Sequence, residues 1–295
     1  MKLIISNDDF GLSFGFNKAI EDCFKKSITT STSIITNGFA FQDSLKLLKT
    51  SLKNISLGLH LNITHGEAFS EELATPEGRY KFEFFDYYIR LIKYNPGLLK
   101  AIGKDLESQF KISIEKHNLP IDHVDGHDHI HMIPSVFEIV CKLCKKYNIN
   151  YLRLTNEPYY LTSSFSQSLT PLTNKNIIKF ILLNYLSQKN LKLLKQYKLI
   201  SPQFFYGLLH SNNINSVTFK GAIKNAVQQN ASLIEIALHP AFLNHPKDIN
   251  YPDKTVKLFA TSPQREIETS LLTNSKIKQF IKDNKIALVG FNDFL

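Results

Sequence analysis

Apolar positions along the chain switch between two spacings. Short aliphatic or β-branched runs predict strands at residues 2–6, in ITTSTSIIT (28–36), in ISLGLHLN from Ile55, in IDHVDGH from Ile121 and in INYLRLT from Ile149. Two more are expected at about 232–238 and in IALVGF near the C-terminus. Between these runs apolar residues recur at helical spacing. Phe16, Ile20, Cys23 and Phe24 mark a helix over 14–26. Further helices are expected at 41–52, through most of 80–117, after Pro134 and from about Gln264. Strands alternating with helices predict an α/β fold, a parallel sheet with helices outside. Six or more such units without a dinucleotide glycine motif favour a (β/α) barrel, closed or partly closed, in one domain of 295 residues.

One segment departs from the alternation. NKNIIKFILLNYLSQKNLKLLKQYKLI, from Asn174 to Ile200, reads as one helix or two, broken near Ser187 to Asn190. Its first half is apolar on nearly every side, which a simple surface helix is not. It dominates a helical insert at about 159–200.

Polar clusters fall where predicted strands run out, and barrels carry their chemistry at the C-terminal strand ends. These are Asn7, Asp8 and Asp9 after strand 1, His60 in GLHLNITHGE, DGHDHIHMIP from Asp125, and His239 in IEIALHPAF. In an extended chain Asp8 and Asp9 point apart, and a sharp turn at the strand end would bring both to one site. His127, His129 and His131 alternate, so an extended backbone would turn all three to one face with Asp125. Neutral imidazoles with a carboxylate form a ligand set for a first-row divalent metal. His123 shares that parity but lies deeper. His65, His117, His210 and His245 have no partners that single them out. No nucleophile elbow or phosphate loop is present, so metal-assisted hydrolysis is favoured over covalent catalysis. An HxH on the first strand would suit phosphoester or cyclic-amide hydrolysis; here that strand carries two acids.

Charge changes the picture in one place. The net charge is +9, and residues 158–234 hold eight lysines and no Asp or Glu. That block suggests an anionic partner: a phosphate, a membrane surface or nucleic acid. No nucleic-acid motif appears and the insert lacks arginine, so nucleic acid is not expected. Three cysteines cannot build a disulfide framework, and Cys141 and Cys144 read as neighbours on a helix. No run is long and apolar enough to span a membrane, and the N-terminus lacks a signal-like pattern, which favours the cytoplasm.

These motifs, NDDFGLS, TSTSIITNG, GLHLNIT, DGHDHIHMIP, LRLTNEP and LHPAF, resemble in order those of the YdjC-like carbohydrate deacetylase family. Ser6-Asn7 stands where that family has Asn-Ala. The resemblance implies an irregular β/α barrel related to the polysaccharide deacetylases, and removal of an N-acetyl group from an amino sugar with one divalent metal, Mg or Zn. By motif position it implies Asp9, His60 and His127 as ligands and Asp8 as the base; exchange of the two acids stays open. His239 is the candidate acid for the leaving amine. Arg153, His129, His131 and Asn62 are candidate substrate contacts, with pairing of Arg153 to Glu157 as the alternative. The EP before the insert and QFFYG after it resemble a branch associated with lipid-linked amino sugars and hopanoid biosynthesis. A prenyl-phosphate-linked N-acetylhexosamine would suit a basic, apolar insert, with peripheral contact at the inner membrane face. Chito-oligosaccharides are the alternative substrate. Homodimer packing of the insert, or a non-catalytic barrel binding membrane or nucleic acid, are the rival readings.

Overall fold

A computed structural model describes residues 1–174 and 176–294. Its strands are β1 (Lys2–Phe10), β2 (Ser31–Ile34), β3 (Ser56–Leu61), β4 (Ile121–Gly126), β5 (Tyr151–Leu152), β6 (Phe204–Tyr206), β7 (Leu233–Leu238) and β8 (Ala287–Leu288). They pair in parallel in the order β5-β4-β3-β2-β1-β7-β6, with β8 added to the start of β1. The remaining gap, between β5 and β6, is bridged by single contacts. Leu152 N–H donates to Ile200 O, Ile200 N–H to Asn150 O, and Phe205 N–H to Asn156 O. The sheet therefore curls into a barrel whose last seam is irregular, as the alternation predicts.

Around it lie α1 (Phe14–Lys26), α2 (Phe41–Lys49), α3 (Phe84–Ile92), α4 (Pro96–Phe110), α5 (Pro134–Lys146), α6 (Phe165–Thr173) and α7 (Asn176–Gln196). The series ends with α8 (Ser216–Gln228), α9 (Lys254–Ala260), α10 (Gln264–Thr273) and α11 (Ser275–Asp283). Helix α1 forms as its pattern requires. Ser13 Oγ accepts from Phe16 N–H at its start, Lys25 and Lys26 complement the dipole at its end, and Phe16, Ile20 and Cys23 are buried. Cys141 and Cys144 sit in the core on α5, with burial pushing Cys141 up to about 12. They are packing residues, not a thiolate pair.

Two expectations change and one open alternative is decided. Strand β4 stops at Gly126, and Asp128 (φ 52°) and His129 (φ 59°) adopt left-handed backbone in a turn over His127–Met132. A left-handed residue breaks the two-residue side-chain period, so the alternating histidines do not share one strand face. Helix α7 is not broken near Ser187 to Asn190. Both side chains face inward, and Asn190 Nδ2 donates to Met132 O from within the unbroken helix. Strand β6 was not expected, because only three residues of QFFYG pair with β7. Lys175, one of the eight lysines of the acid-free stretch, lies outside the described residues. Among those described, no helix is long and apolar enough to cross a membrane.

Candidate metal centre

Four strand ends converge on one cavity. Its walls include Asp8 from β1, His60 from β3, His127 and His129 from the turn after β4, Lys179 from α7 and His239 after β7. The cavity holds about 150 Å³.

Local backbone explains why two adjacent acids serve one site. Strand β1 pairs Asn7 with Thr32 and then Phe10 with Ile34, so a bulge falls at Asp8 and Asp9. Asp9 has φ 68°, left-handed geometry that the short polar Asp side chain tolerates better than most. The turn is locked downstream. Gly11 has φ 92°, its N–H donates to Asn17 Oδ1 (2.7 Å), and a Cβ there would meet Ile35 O at 2.9 Å.

Asp9 lies between two imidazoles. Its Oδ1 is 2.7 Å from His127 Nδ1 and 3.3 Å from His60 Nε2, while its buried Oδ2 has no partner. Asp9, His60 and His127 each present a donor atom within 4.8 Å of the others, a set that could hold a metal ion. His60 is oriented from behind: its Nδ1 faces Asp125 Oδ1 at 2.8 Å and Ser33 Oγ at 3.0 Å. A carboxylate behind an imidazole fixes the tautomer and leaves Nε2 free to bind a cation. Two overlapping sets, Asp8–His60–Asp125 and His65–His127–Asp128, also have suitable spacing. In the first, both acids are already held by Arg153; in the second, Asp128 is exposed and accepts from Thr64 Oγ1.

Charge in the pocket is out of balance. Asp8, Asp9, Asp125 and Glu235 are all buried, against one guanidinium, Arg153. Arg153 grips Asp8 with both Nη atoms (2.7 and 2.9 Å), reaches Asp125 Oδ2 at 2.7 Å and donates from Nε to Glu235 Oε1 at 3.0 Å. The excess negative charge appears as proton affinity. Burial would lower His60 and His127, but Asp125 and Asp9 hold His60 well above its usual range, and Asp9 and Asp128 raise His127. Burial would raise Asp9, yet the same imidazoles hold it well below the carboxylate range. A divalent cation between these residues would supply the missing positive charge, so the donor set fits one.

His239 stands on the far wall. Its N–H donates to Glu268 Oε2 (2.6 Å), its Nδ1 is 3.8 Å from the same oxygen, and its carbonyl accepts from Arg265. Burial pushes its imidazole below the usual range, against the pull of Asp9.

Of the expected substrate contacts, only His129 lines the cavity. Arg153, His131 and Asn62 are buried among protein groups. Arg153 does not pair with Glu157, whose carboxylate instead accepts the backbone N–H groups of Gly207, Leu208 and Leu209. His131 Nε2 contacts Arg153 O, and Asn62 Oδ1 accepts from Thr64 and His65 N–H, shaping the loop after β3. His123 lies beneath the site, stacked on Phe291. Glu235 had a visible signal, an acid inside the apolar run IEIAL; Lys179 was visible only as one of the eight lysines of the acid-free block, and Glu268, on a distant helix, had none.

The motif order and this arrangement agree with a family model described as YdjC-like protein, which matches residues 2–283. The chain belongs to the YdjC-like family. Among the relatives of this YdjC-like chain, a carbohydrate deacetylase of Clostridium beijerinckii is 28% identical over 99% of this chain and 100% of its own. A chitooligosaccharide deacetylase of Proteus mirabilis is 25% identical over 99% and 98%. The YdjC-like barrel also superposes on an Enterococcus faecalis structure named for cellobiose-phosphate cleavage. That match has a TM-score of 0.73 and 21% identity over 99% of this chain and 98% of that one, a likeness of fold.

Proposed function

We propose that this chain is a metal-dependent hydrolase that removes an N-acetyl group from an N-acetylated amino sugar. The observation that carries the reading is Asp9, set between His60 and His127 with an unpartnered buried oxygen, next to Asp8 on the same rim. The names of its relatives, carbohydrate and chitooligosaccharide deacetylases, support the substrate class.

Asp9, His60 and His127 would hold the cation, and Mg and Zn are the first candidates. When bound, such an ion supplies Lewis acidity toward the amide oxygen and makes water a stronger acid. Asp8, held in position through both its oxygens by Arg153, accepts a proton from the attacking water. The carbonyl carbon gains a C–O bond and loses its C–N bond. His239, backed by Glu268, delivers a proton to the departing amine, and acetate and a free amino sugar remain.

The finer substrate reading is a prenyl-phosphate-linked N-acetylhexosamine, with soluble chito-oligosaccharides as the alternative. Its support is a second cavity of about 230 Å³ lined by Phe84, Phe85, Leu182 and Leu183, which shares Asp128 and Lys179 with the catalytic cavity. An anionic linkage at Lys179, with an apolar chain beyond it, suits that junction.

The test is mass spectrometry of products from soluble and lipid-linked acetylated sugars, reading loss of one acetyl after chelation and return of single metals. Asp9→Ala and His127→Ala should abolish turnover. Full activity in either variant after metal return overturns the ligand assignment. Lys179→Ala should impair the lipid-linked substrate more than the soluble one; equal rates on both in wild type and variant remove the lipid reading.

A further inference from the structure

Large apolar side chains are exposed unevenly on this molecule. Of the nineteen exposed among the described residues, twelve fall within residues 85–94 and 159–185. Three helices carry them at helical spacing. Phe85, Ile89 and Ile92 form an outward stripe on α3, Phe165, Leu169 and Leu172 one on α6, and Ile178, Ile181 and Tyr185 one on α7. A helix packed on a globular core normally turns such a stripe inward. Here the inward positions are filled separately, by Tyr87 on α3 and by Leu183, Leu186 and Leu194 on α7. The outward stripes are thus additional apolar surface, concentrated on one set of helices rather than scattered singly.

The three helices are neighbours. Helix α6 packs on α7, and α3 and α7 both line the apolar cavity beside the catalytic site. Charge decides what would cover them. The stripe on α7 continues at the same spacing into exposed Lys189 and Lys192, and Lys189 Nζ lies 4.5 Å over the Tyr185 ring. On α3, Arg90 and Lys93 flank the C-terminal part of the stripe, while exposed Glu83 and Asp86 lie at its start. No acid occurs in 158–234. Apolar stripes bordered by long cationic side chains, on helices too polar to span a bilayer, suit a helix face lying in a lipid interface while lysines reach anionic headgroups. A second copy of the chain would bring the same cations against each other.

We infer that the α3, α6 and α7 face docks peripherally on an anionic membrane surface. Docking there would open the apolar cavity beside the catalytic site toward the lipid. The inference goes beyond the proposed chemistry and needs no substrate, so it stands or falls separately from the deacetylase reading.

The experiment is sedimentation of the full chain with vesicles of phosphatidylcholine and phosphatidylglycerol in equal parts, and with phosphatidylcholine alone. Wild type should pellet with the mixed vesicles and be released by salt. Ile89→Ser/Phe165→Ser/Ile181→Ser should reduce partitioning by at least about tenfold without lowering the melting temperature. Lys189→Glu/Lys192→Glu, altering two exposed side chains, should weaken binding to mixed vesicles alone and serves if the serine variant fails to fold. Absence of vesicle binding overturns the inference, as does undiminished binding by both variants. A dimer in ultracentrifugation that the serine variant loses, with no vesicle uptake by wild type, also overturns it and assigns the face to a second copy.

Discussion

The floor of the catalytic cavity and the α3–α6–α7 face break the usual distribution of residues in opposite directions. The floor buries four acids, an arginine and two histidines where aliphatic side chains would pack; the face exposes nine apolar side chains where charges would be solvated. Both cost stability in the isolated chain, and each is compensated differently. On the floor most of the compensation is internal: Arg153 touches three acids, and His60 and His127 flank the fourth, whose Oδ2 keeps no partner. Little within the protein covers the outward stripes, so their compensation must come from outside. Preorganised charge is a sign of chemistry, and uncompensated apolar surface is a sign of a partner.

Variants can break this contrast, beginning on the floor. Asp9→Ala should abolish acetate release and lower bound metal together, read by product assay and metal analysis. His239→Ala should cut kcat by about 10²–10⁴ with little change in KM, the range for losing one general acid. Arg153→Met leaves buried carboxylates without their guanidinium and should cost about 3–5 kcal/mol in denaturant unfolding. If it costs as little as a surface substitution, the internal compensation described for the floor is wrong.

Glu157 offers a smaller, pH-dependent test at the edge of the cavity. Burial pushes its carboxyl up from 4.5 to about 7, despite three donated backbone N–H groups. Between these values the folded chain keeps a proton that the unfolded chain releases. Its contribution is therefore full below pH 4.5 and is lost as pH rises through about 7, with a slope of up to about 1.4 kcal/mol per pH unit. Glu157→Gln should flatten that slope relative to wild type; parallel stability curves would contradict it. Smallest of all, Ile89→Ser or Ile181→Ser should change stability by less than about 0.5 kcal/mol, because both are exposed. A larger loss would mean that the face is part of the core.

Much of the frame is legible in the pattern of residues. Helix α1 spans its expected 14–26, and β3, β4 and β7 lie within their apolar runs. Asp9, His60 and His127 are each at the strand end where the motifs suggest, yet three of the four expected substrate contacts turn inward. Arg153 reads in LRLTNEP as a substrate contact or a partner of Glu157, but its partners Asp8, Asp125 and Glu235 come from β1, β4 and β7, separated by up to 145 residues from it. Local spacing carries no information about such partners.

The sequence by itself determined that polar residues recur at the ends of apolar strands and that one basic, acid-free segment interrupts them. Both follow from patterns within a few residues of each other. Tertiary structure decided the roles. The left-handed Asp9 sets both acids of the pair at one site, and the turn at Asp128 and His129 leaves His127 on Asp9 while sending His131 beneath. It also decided that the stripes of α3, α6 and α7 face outward. Periodicity places apolar residues on one side of a helix, but only packing against the rest of the chain determines which way that side looks.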